Sequence, residues 1–245
     1  MHIKNALRLA AAVFTAILAM PSDAFAQECP PAAPVAVHVH FEHKQNPVEK
    51  NITSRQLTDE IRTADIQAGG DDNIFAAEAH WMVGGLNRSQ IKTSYSMPFL
   101  RRDNKTSGTT CFMPREFHYN IVYENTIFIA EDFKLMGCRY SATMAHEKRH
   151  EKTDLKMLEG YALDARKALE KAVSGMRPTG PFPAHQMEEE YTKLAKKIAE
   201  TLPPIYARMT QIRRQKQADI DSYDNYMRDT ALCPEQFPRF DEAGE

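Results

Sequence analysis

Two of the chain's nine histidines, His146 and His150, stand four residues apart in the segment CRYSATMAHEKRHEKTDLKML, with Glu147 directly after the first. On a helix, positions i and i+4 are neighbours on one face, so both imidazoles can direct a ring nitrogen at one tetrahedral cation. Glu147 lies about 100° round the same helix, where its carboxylate can reach a water held by that cation. Two histidines and a glutamate at this HExxH spacing are the minimum kit for zinc-assisted hydrolysis. By average residue usage a chain of this length meets the pattern by chance on the order of once in a hundred times, so the elements around it must carry the rest of the argument.

Those elements divide the chain into two halves. From Pro34 to Glu131 β-type runs dominate: VAVHVHF (Val35 to Phe41), AEAHWMVGG (Ala77 to Gly85), IKTSYSM (Ile91 to Met97) and FHYNIVYENTIFIA (Phe117 to Ala130). The first and last alternate with period two over part of their length, as a half-buried strand does. TSRQLTDEIRTA opens with a Thr/Ser cap signal and has helical spacing at Leu57, Ile61 and Ala64, while Gly69-Gly70, Gly84-Gly85 and the polar run RRDNKTSGTT mark turns. From Ser141 onward the reading is almost all helix. Ser141 to Val173 carries one stripe at Leu155, Leu158, Ala162, Ala165, Leu169 and Ala172, and SGMRPTGPFP ends it. A charged run, His185 to Thr201, follows; after Pro203-Pro204 a third extends to about Asp229, with Ile205, Met209, Ile212, Ile220, Tyr223 and Met227 in phase. Its basic middle (Arg213, Arg214, Lys216) reads as a solvated face. The expectation is an α+β fold in one domain spanning 27–245, in which a strand-rich part (27–140) forms a small, mostly antiparallel sheet packed on a helical part (141–245) that bears the motif helix.

His146, Glu147 and His150 in AHEKRH resemble the motif of the zincin metallopeptidases. More loosely, the chain resembles an uncharacterised bacterial family of predicted secreted zinc-dependent proteases, in which a strand-rich first half, a cysteine shortly before the motif (here Cys138) and a helical second half occur together. The resemblance implies that His146 and His150 ligate Zn2+ and that Glu147 is the general base, the metal activating a water and polarising the scissile carbonyl. It also implies that Asn125 to Ala130 lies beside the cleft as a strand edge on which an extended peptide pairs.

The third ligand departs from the best-known zincins. Thr153 and Lys156 occupy the places where a metzincin has glycine and histidine. Glu170 stands at a spacing familiar from thermolysin-like enzymes, but on one unbroken helix it lies about 30 Å from His150 at 1.5 Å per residue. Asp154 shares the histidine face one turn on, and reads as a supporting or surface residue. The acidic cluster DIDSYDNYMRD near the C-terminus is the preferred source. On a continuous helix Asp224 lies nearest the apolar stripe, Asp221 farther round, and Asp229 points away; Asp221 stays in play because Asp-Ser can cap a new helix there and reset the phase.

The compartment bears on metals and thiols alike. Met1 to Ala26 has a short basic start, the apolar run LAAAVFTAILAM and the small-residue signature AFA before Gln27, the form of a cleavable signal peptide cut after Ala26. The apolar run is too short to span a bilayer, so a periplasmic or secreted protein without a membrane anchor is expected. Removing Lys4, Arg8 and Asp23 with that segment moves the formal charge from −2 to −3, a balance that does not suggest nucleic acid as a partner. Four cysteines in an exported chain read as two disulfides, and the expected pairs are Cys111 with Cys138 and Cys29 with Cys233.

Other histidines compete for attention. His38 and His40 share one face of a strand, and His43 follows; such pairs bind metal in some proteins, but a polar strand face is the simpler account. His80 beside Trp81 and His118 beside Tyr119 suit packing or a groove; His185 or the Glu188 to Glu190 run beside it could supply a ligand from the second helix, though for His185 a helix cap is the simpler account. Two function classes result: an exported zinc-dependent peptidase acting on a peptide or protein substrate, or a non-catalytic periplasmic binding protein on a zincin-like scaffold. Glu147 favours the enzyme, because a closed structural zinc site has no use for it.

Overall fold

Strand β5, Glu116–Ile129, buries every second residue along its 14-residue length. Phe117, Tyr119, Ile121, Tyr123, Ile127 and Ile129 turn one way, and His118, Asn120, Val122 and Glu124 the other. A computed structural model describes residues 29–68, 83–133 and 137–233. The expected signal peptide, His80, Trp81 and most of the expected strand Ala77 to Gly85 lie outside the described residues.

Around β5 stand β1 (Ala36–Gln45) and β2 (Gly85–Ser96), in the order β1-β5-β2. β1 runs parallel to β5, with Ala36 opposite Glu116 and Gln45 opposite Asn125. β2 runs antiparallel, with Gly85 opposite Ile129 and Ser96 opposite His118. The segment Asn125 to Ala130, expected as an exposed edge, is therefore interior to the sheet, and the edges are β1 and β2. A second sheet, wholly antiparallel, has the order β3-β4-β6: β3 is Phe99–Asn104, β4 Thr109–Pro114 and β6 Thr179–Pro183. The run read as turn, RRDNKTSGTT, is the hairpin of β3 and β4, with only its centre turning. β6 comes from the proline-rich stretch after the motif helix, so the two halves of the chain interlock.

The helices are α1 (Ser54–Ala68), α2 (Gly137–Val173), α3 (Met187–Ala199), α4 (Leu202–Ile220) and α5 (Tyr223–Ala231). The main core lies where α2 crosses the alternating face of β5: Phe117, Tyr119, Ile121 and Tyr123 meet Leu158, Tyr161, Ala165 and Leu169, with Ala195, Ile198, Leu202 and Met209 closing it from α3 and α4. Each Leu, Ile, Phe or Met among them contributes about 1.5–3 kcal/mol by leaving water. A smaller cluster, Leu57, Val83, Ile127, Ile129 and Phe133, seats α1 against the other end of the sheet. The architecture is α+β, as expected.

Two disulfides, Cys29–Cys111 and Cys138–Cys233, span 82 and 95 residues, which suits an oxidising compartment. The cysteines are those expected, but both pairings differ. Cys111 lies on β4, in the second sheet, whereas Cys138 opens α2 and meets the chain after α5. Sequence spacing alone carries no information about which sheet or helix end a cysteine will face. Among the described residues, no helix is long and apolar enough to cross a membrane.

Candidate metal centre

The buried stripe of α2 changes character along its length. Leu158, Tyr161, Ala165, Leu169 and Val173 follow helical spacing, and the same stripe continues towards the N-terminus as Glu147, Glu151 and Asp154. A helix that faces a core normally keeps that stripe apolar, and buried polar groups persist where they have partners. Here Glu147 finds its partner on β2 and Glu151 on β1, while Asp154 and the two histidines meet α4. The two helices run antiparallel, so that Tyr161 stacks edge-on against Tyr206, Asp154 pairs with Arg213, His150 meets Gln217 and His146 meets Asp221. Each turn towards the start of α2 matches one turn towards the end of α4, and the contact passes from apolar to polar as it goes.

At the end of that ladder three ligand-type atoms converge. Nε2 of His146 is 3.0 Å from Oδ1 of Asp221, Nε2 of His150 is 2.9 Å from the same oxygen, and the two nitrogens are 3.0 Å apart. A tetrahedral ion with bonds of about 2.0–2.1 Å separates its ligand atoms by about 3.3 Å, so the trio needs only a few tenths of an ångström of adjustment. The outer nitrogens complete the pattern. Nδ1 of His146 faces Oδ2 of Asp229 at 3.0 Å, and Nδ1 of His150 faces Oε1 of Gln217. The Gln217 oxygen draws the His150 ring proton to Nδ1 and leaves Nε2 free for a cation; at His146 the Asp229 carboxylate acts in the same sense, with the Arg149 guanidinium bound to that carboxylate and also 3.0 Å from Nδ1. Both imidazole side chains retain some exposure, 15% for His146 and 11% for His150, and Asp221 retains 37%. The donor set, two imidazoles and one carboxylate, suits zinc with an open position.

The break between α4 and α5 makes this possible. Asp221 caps the end of α4, and its backbone N–H bonds to Gln217 O; Ser222 is extended (φ −61°, ψ 147°), and α5 starts anew. Asp224 would lie nearest the apolar stripe only on one continuous helix. With the phase reset, Asp224 is exposed on the first turn of α5 and stands apart from the group, while Asp229, which a continuous helix turns away, swings onto His146. Arg149 holds Asp229 from its other side. The Cys138–Cys233 bridge clamps the end of α5 to the start of α2.

Charge is matched to position. Burial alone would raise the Asp221 carboxyl, but hydrogen bonds from both imidazoles hold it down to about 2. Burial would lower His150, yet Asp221 and Glu147 push it up to about 9, and His146 is raised for similar reasons. Glu147 goes the other way: burial lifts its carboxyl to about 7 against the pull of the two histidines. It sits between α2 and the start of β2, where the Asn87 backbone hydrogen-bonds to it. A Cβ on Gly85 would come within 2.8 Å of Glu147 Oε1 and 2.6 Å of Thr143 Cγ2. Gly85, read from sequence as part of a turn, is the residue that lets α2 approach the strand.

Behind the trio lies a polar layer. Asp154 is 1% exposed and accepts bonds from Tyr123 Oη (3.0 Å), Arg213 Nε (2.6 Å) and Gln217 Nε2 (2.5 Å). Arg213 is thus an internal partner of Asp154, while Arg214 and Lys216 do face solvent. His43 contacts Asn125 Oδ1 at 2.8 Å and Glu151 at 3.3 Å. Glu170 is exposed near the far end of a helix that runs straight through Gly160, and His185 is exposed beside α3. The continuous-helix phase turns Asp229 away although the acidic cluster includes it, and Gln217, which sequence reasoning did not single out, could have been found from its spacing of four before Asp221.

Two groups of side chains among the described residues are spaced to hold a cation: His146, His150 and Asp221, and, on the other face of the sheet, His38, Glu116 and His118. Compared with known proteins, the chain matches no family model, no curated protein and no solved structure.

Proposed function

We propose that the chain is an exported zinc-dependent peptidase, with His146, His150 and Asp221 as ligands and Glu147 as general base. The observation that carries this reading is the convergence of two Nε2 atoms and one carboxylate oxygen within 2.9–3.0 Å, each imidazole being oriented by an acceptor on its far side. A ligand set of three protein groups leaves a position for water, which is what separates a catalytic zinc from a structural one. When bound, zinc would supply Lewis-acid polarisation of a substrate carbonyl and a water acidic enough to lose its proton near neutrality.

The chain's own residues supply the remaining chemistry. Glu147 carries a carboxyl poised near pH 7, so one oxygen takes a proton and the same group returns it to a leaving amine. Asp229 and Gln217 fix the tautomers of the ligands. β2 is an edge strand next to Glu147, and its free side offers backbone groups to an extended peptide. The two disulfides and the apolar leader read in the sequence fit export to the periplasm or beyond.

The test is metal analysis of the purified chain together with Glu147→Gln assayed on a broad peptide library. The expected result is one zinc dependent on His146 and His150, retained by Glu147→Gln, with hydrolysis lowered by roughly 10²–10⁴-fold. Zinc bound without any cleavage by the parent chain would point instead to a binding protein on this scaffold.

A further inference from the structure

The face of the sheet turned away from the metal centre carries its own donor cluster. In the parallel register of β1 and β5, His38 lies directly opposite His118. Their rings stack with centroids 4.8 Å apart and planes 19° from parallel. Period two adds one neighbour on each strand to the same face. Glu116 places Oε2 2.6 Å from His118 Nε2 and 4.0 Å from His38 Nε2. His40 stacks at 6.3 Å from His38 and 6.0 Å from His118. Three imidazoles and one carboxylate thus occupy a patch two residues wide on two adjacent strands.

Hydrogen bonding accounts for only part of this. One contact, His118 to Glu116, satisfies the carboxylate, but nothing in it explains two further imidazoles stacked alongside. The charge distribution also favours a cation. The lysines of this face lie further along, Lys44 six residues beyond His38 and Lys92 opposite Val122, four beyond His118, about 20 Å and 13 Å at strand rise, and are paired with Glu42 and Glu124. His38, Glu116 and His118 keep 44%, 45% and 27% exposure, so an ion can enter from solvent and the side chains can rotate to meet it. The separations of 2.6 and 4.0 Å bracket the ~3.3 Å between ligand atoms of a tetrahedral ion with ~2 Å bonds; because an imidazole ligates through the lone pair in its ring plane, the two stacked rings must also turn out of their near-parallel arrangement.

We propose that His38, Glu116 and His118 form a second metal site, on the outer face of the β1-β5-β2 sheet, which takes a divalent first-row transition ion of the zinc or copper type, with His40 as a fourth donor. Imidazole and carboxylate together suit those ions and discriminate against calcium and magnesium, which prefer all-oxygen shells. The site is separate from the one holding His146, and it exchanges its ion freely with solvent.

The experiment uses the purified chain stripped with chelator and carrying His146→Ala and His150→Ala, titrated with Zn2+ alone and with Cu2+ alone by equilibrium dialysis. The expected result is one equivalent bound at micromolar concentration by at least one of the two ions. His38→Gln and His118→Gln should each weaken it tenfold or more, and the spin-resonance spectrum of the copper form should show two or three nitrogen donors. Competition between the two ions shows which is preferred. If the histidine-substituted background fails to fold, as read by circular dichroism, the parent chain is titrated instead, with two equivalents expected and one in the His38→Gln/His118→Gln variant. No second equivalent at micromolar metal, or one that survives both substitutions, overturns the proposal.

Discussion

Oδ2 of Asp229 lies 3.0 Å from Nδ1 of His146, on the opposite side of the ring from Asp221. The imidazole is therefore gripped between two carboxylates, one placed to share a cation and the other to hold the ring proton. The expected outcome for Asp229→Asn is a folded protein whose zinc affinity falls by about 10–100-fold, with Asp221→Ala weaker still. Chelator competition measures both; equal affinity in Asp229→Asn and the parent would exclude this role for Asp229.

Gly85 tests the closeness of α2 to β2. In Gly85→Ala the new methyl meets Thr143 and Glu147, at a cost of about 1–3 kcal/mol in stability. Because Glu147 is the group displaced, turnover should fall further than zinc affinity. Thr143→Ala in the same chain should restore part of the melting temperature but little of the activity. Unchanged stability and turnover in Gly85→Ala would exclude so close an approach of Thr143 and Glu147 to this position.

The Asp154–Arg213 pair is buried on one side and braced by Tyr123 and Gln217. Asp154→Ala leaves the Arg213 guanidinium without its counter-charge and should destabilise the fold by about 3–5 kcal/mol, whereas the double change Asp154→Leu/Arg213→Met should lose much less. Urea unfolding of the two variants distinguishes a buried charge from simple loss of packing. Equal losses would mean that packing dominates.

The metal-free protein should show a stability maximum set by the ligand residues and Glu147. His150 is raised from 6.5 to about 9, so its contribution is complete below pH 6.5 and is lost as pH rises through 9; Asp221 is lowered from 3.8 to about 2, so its contribution is complete above 3.8 and is lost as pH falls through 2. Glu147 is raised from 4.5 to about 7, so its contribution is complete below 4.5 and is lost as pH rises through 7; chelated protein is thus expected to be most stable near pH 4 to 4.5 and to weaken on both sides of it. Zinc displaces the histidine protons and binds more tightly as pH rises, so the loaded protein should not share the histidines' alkaline loss. Urea midpoints from pH 3 to 9.5, with and without zinc, decide the matter.

Reducing the Cys138–Cys233 bridge should free α5. In the chain-entropy description a loop of 95 residues is worth about 4–5 kcal/mol, and Asp229 reaches His146 only while α5 is clamped beside α2. Cys138→Ser/Cys233→Ser is expected to lower both the melting temperature and the zinc affinity, by more than the Cys29→Ser/Cys111→Ser pair lowers the affinity. The reverse order would detach the clamp from the site.

The sequence by itself determined whatever depends on local periodicity. A 3.6-residue repeat puts His146 and His150 on one face and Glu147 beside them wherever the helix goes, and period two places the aromatic side of β5 against the core. It also determined the α+β division, because proline-free, stripe-bearing segments and alternating segments occupy different halves of the chain. Tertiary structure decided everything that depends on how distant segments meet. β5 became the centre of its sheet because β1 and β2, on either side of it in sequence, both pair with it. The cysteines paired according to which element ends came together. Asp221 joined the histidines, and Asp229 lined up behind them, because the chain breaks at Ser222 and α4 packs antiparallel on α2. No one-dimensional pattern encodes that break in phase: it is the packing of two helices, closed by a disulfide, that selects which carboxylate faces the two histidines.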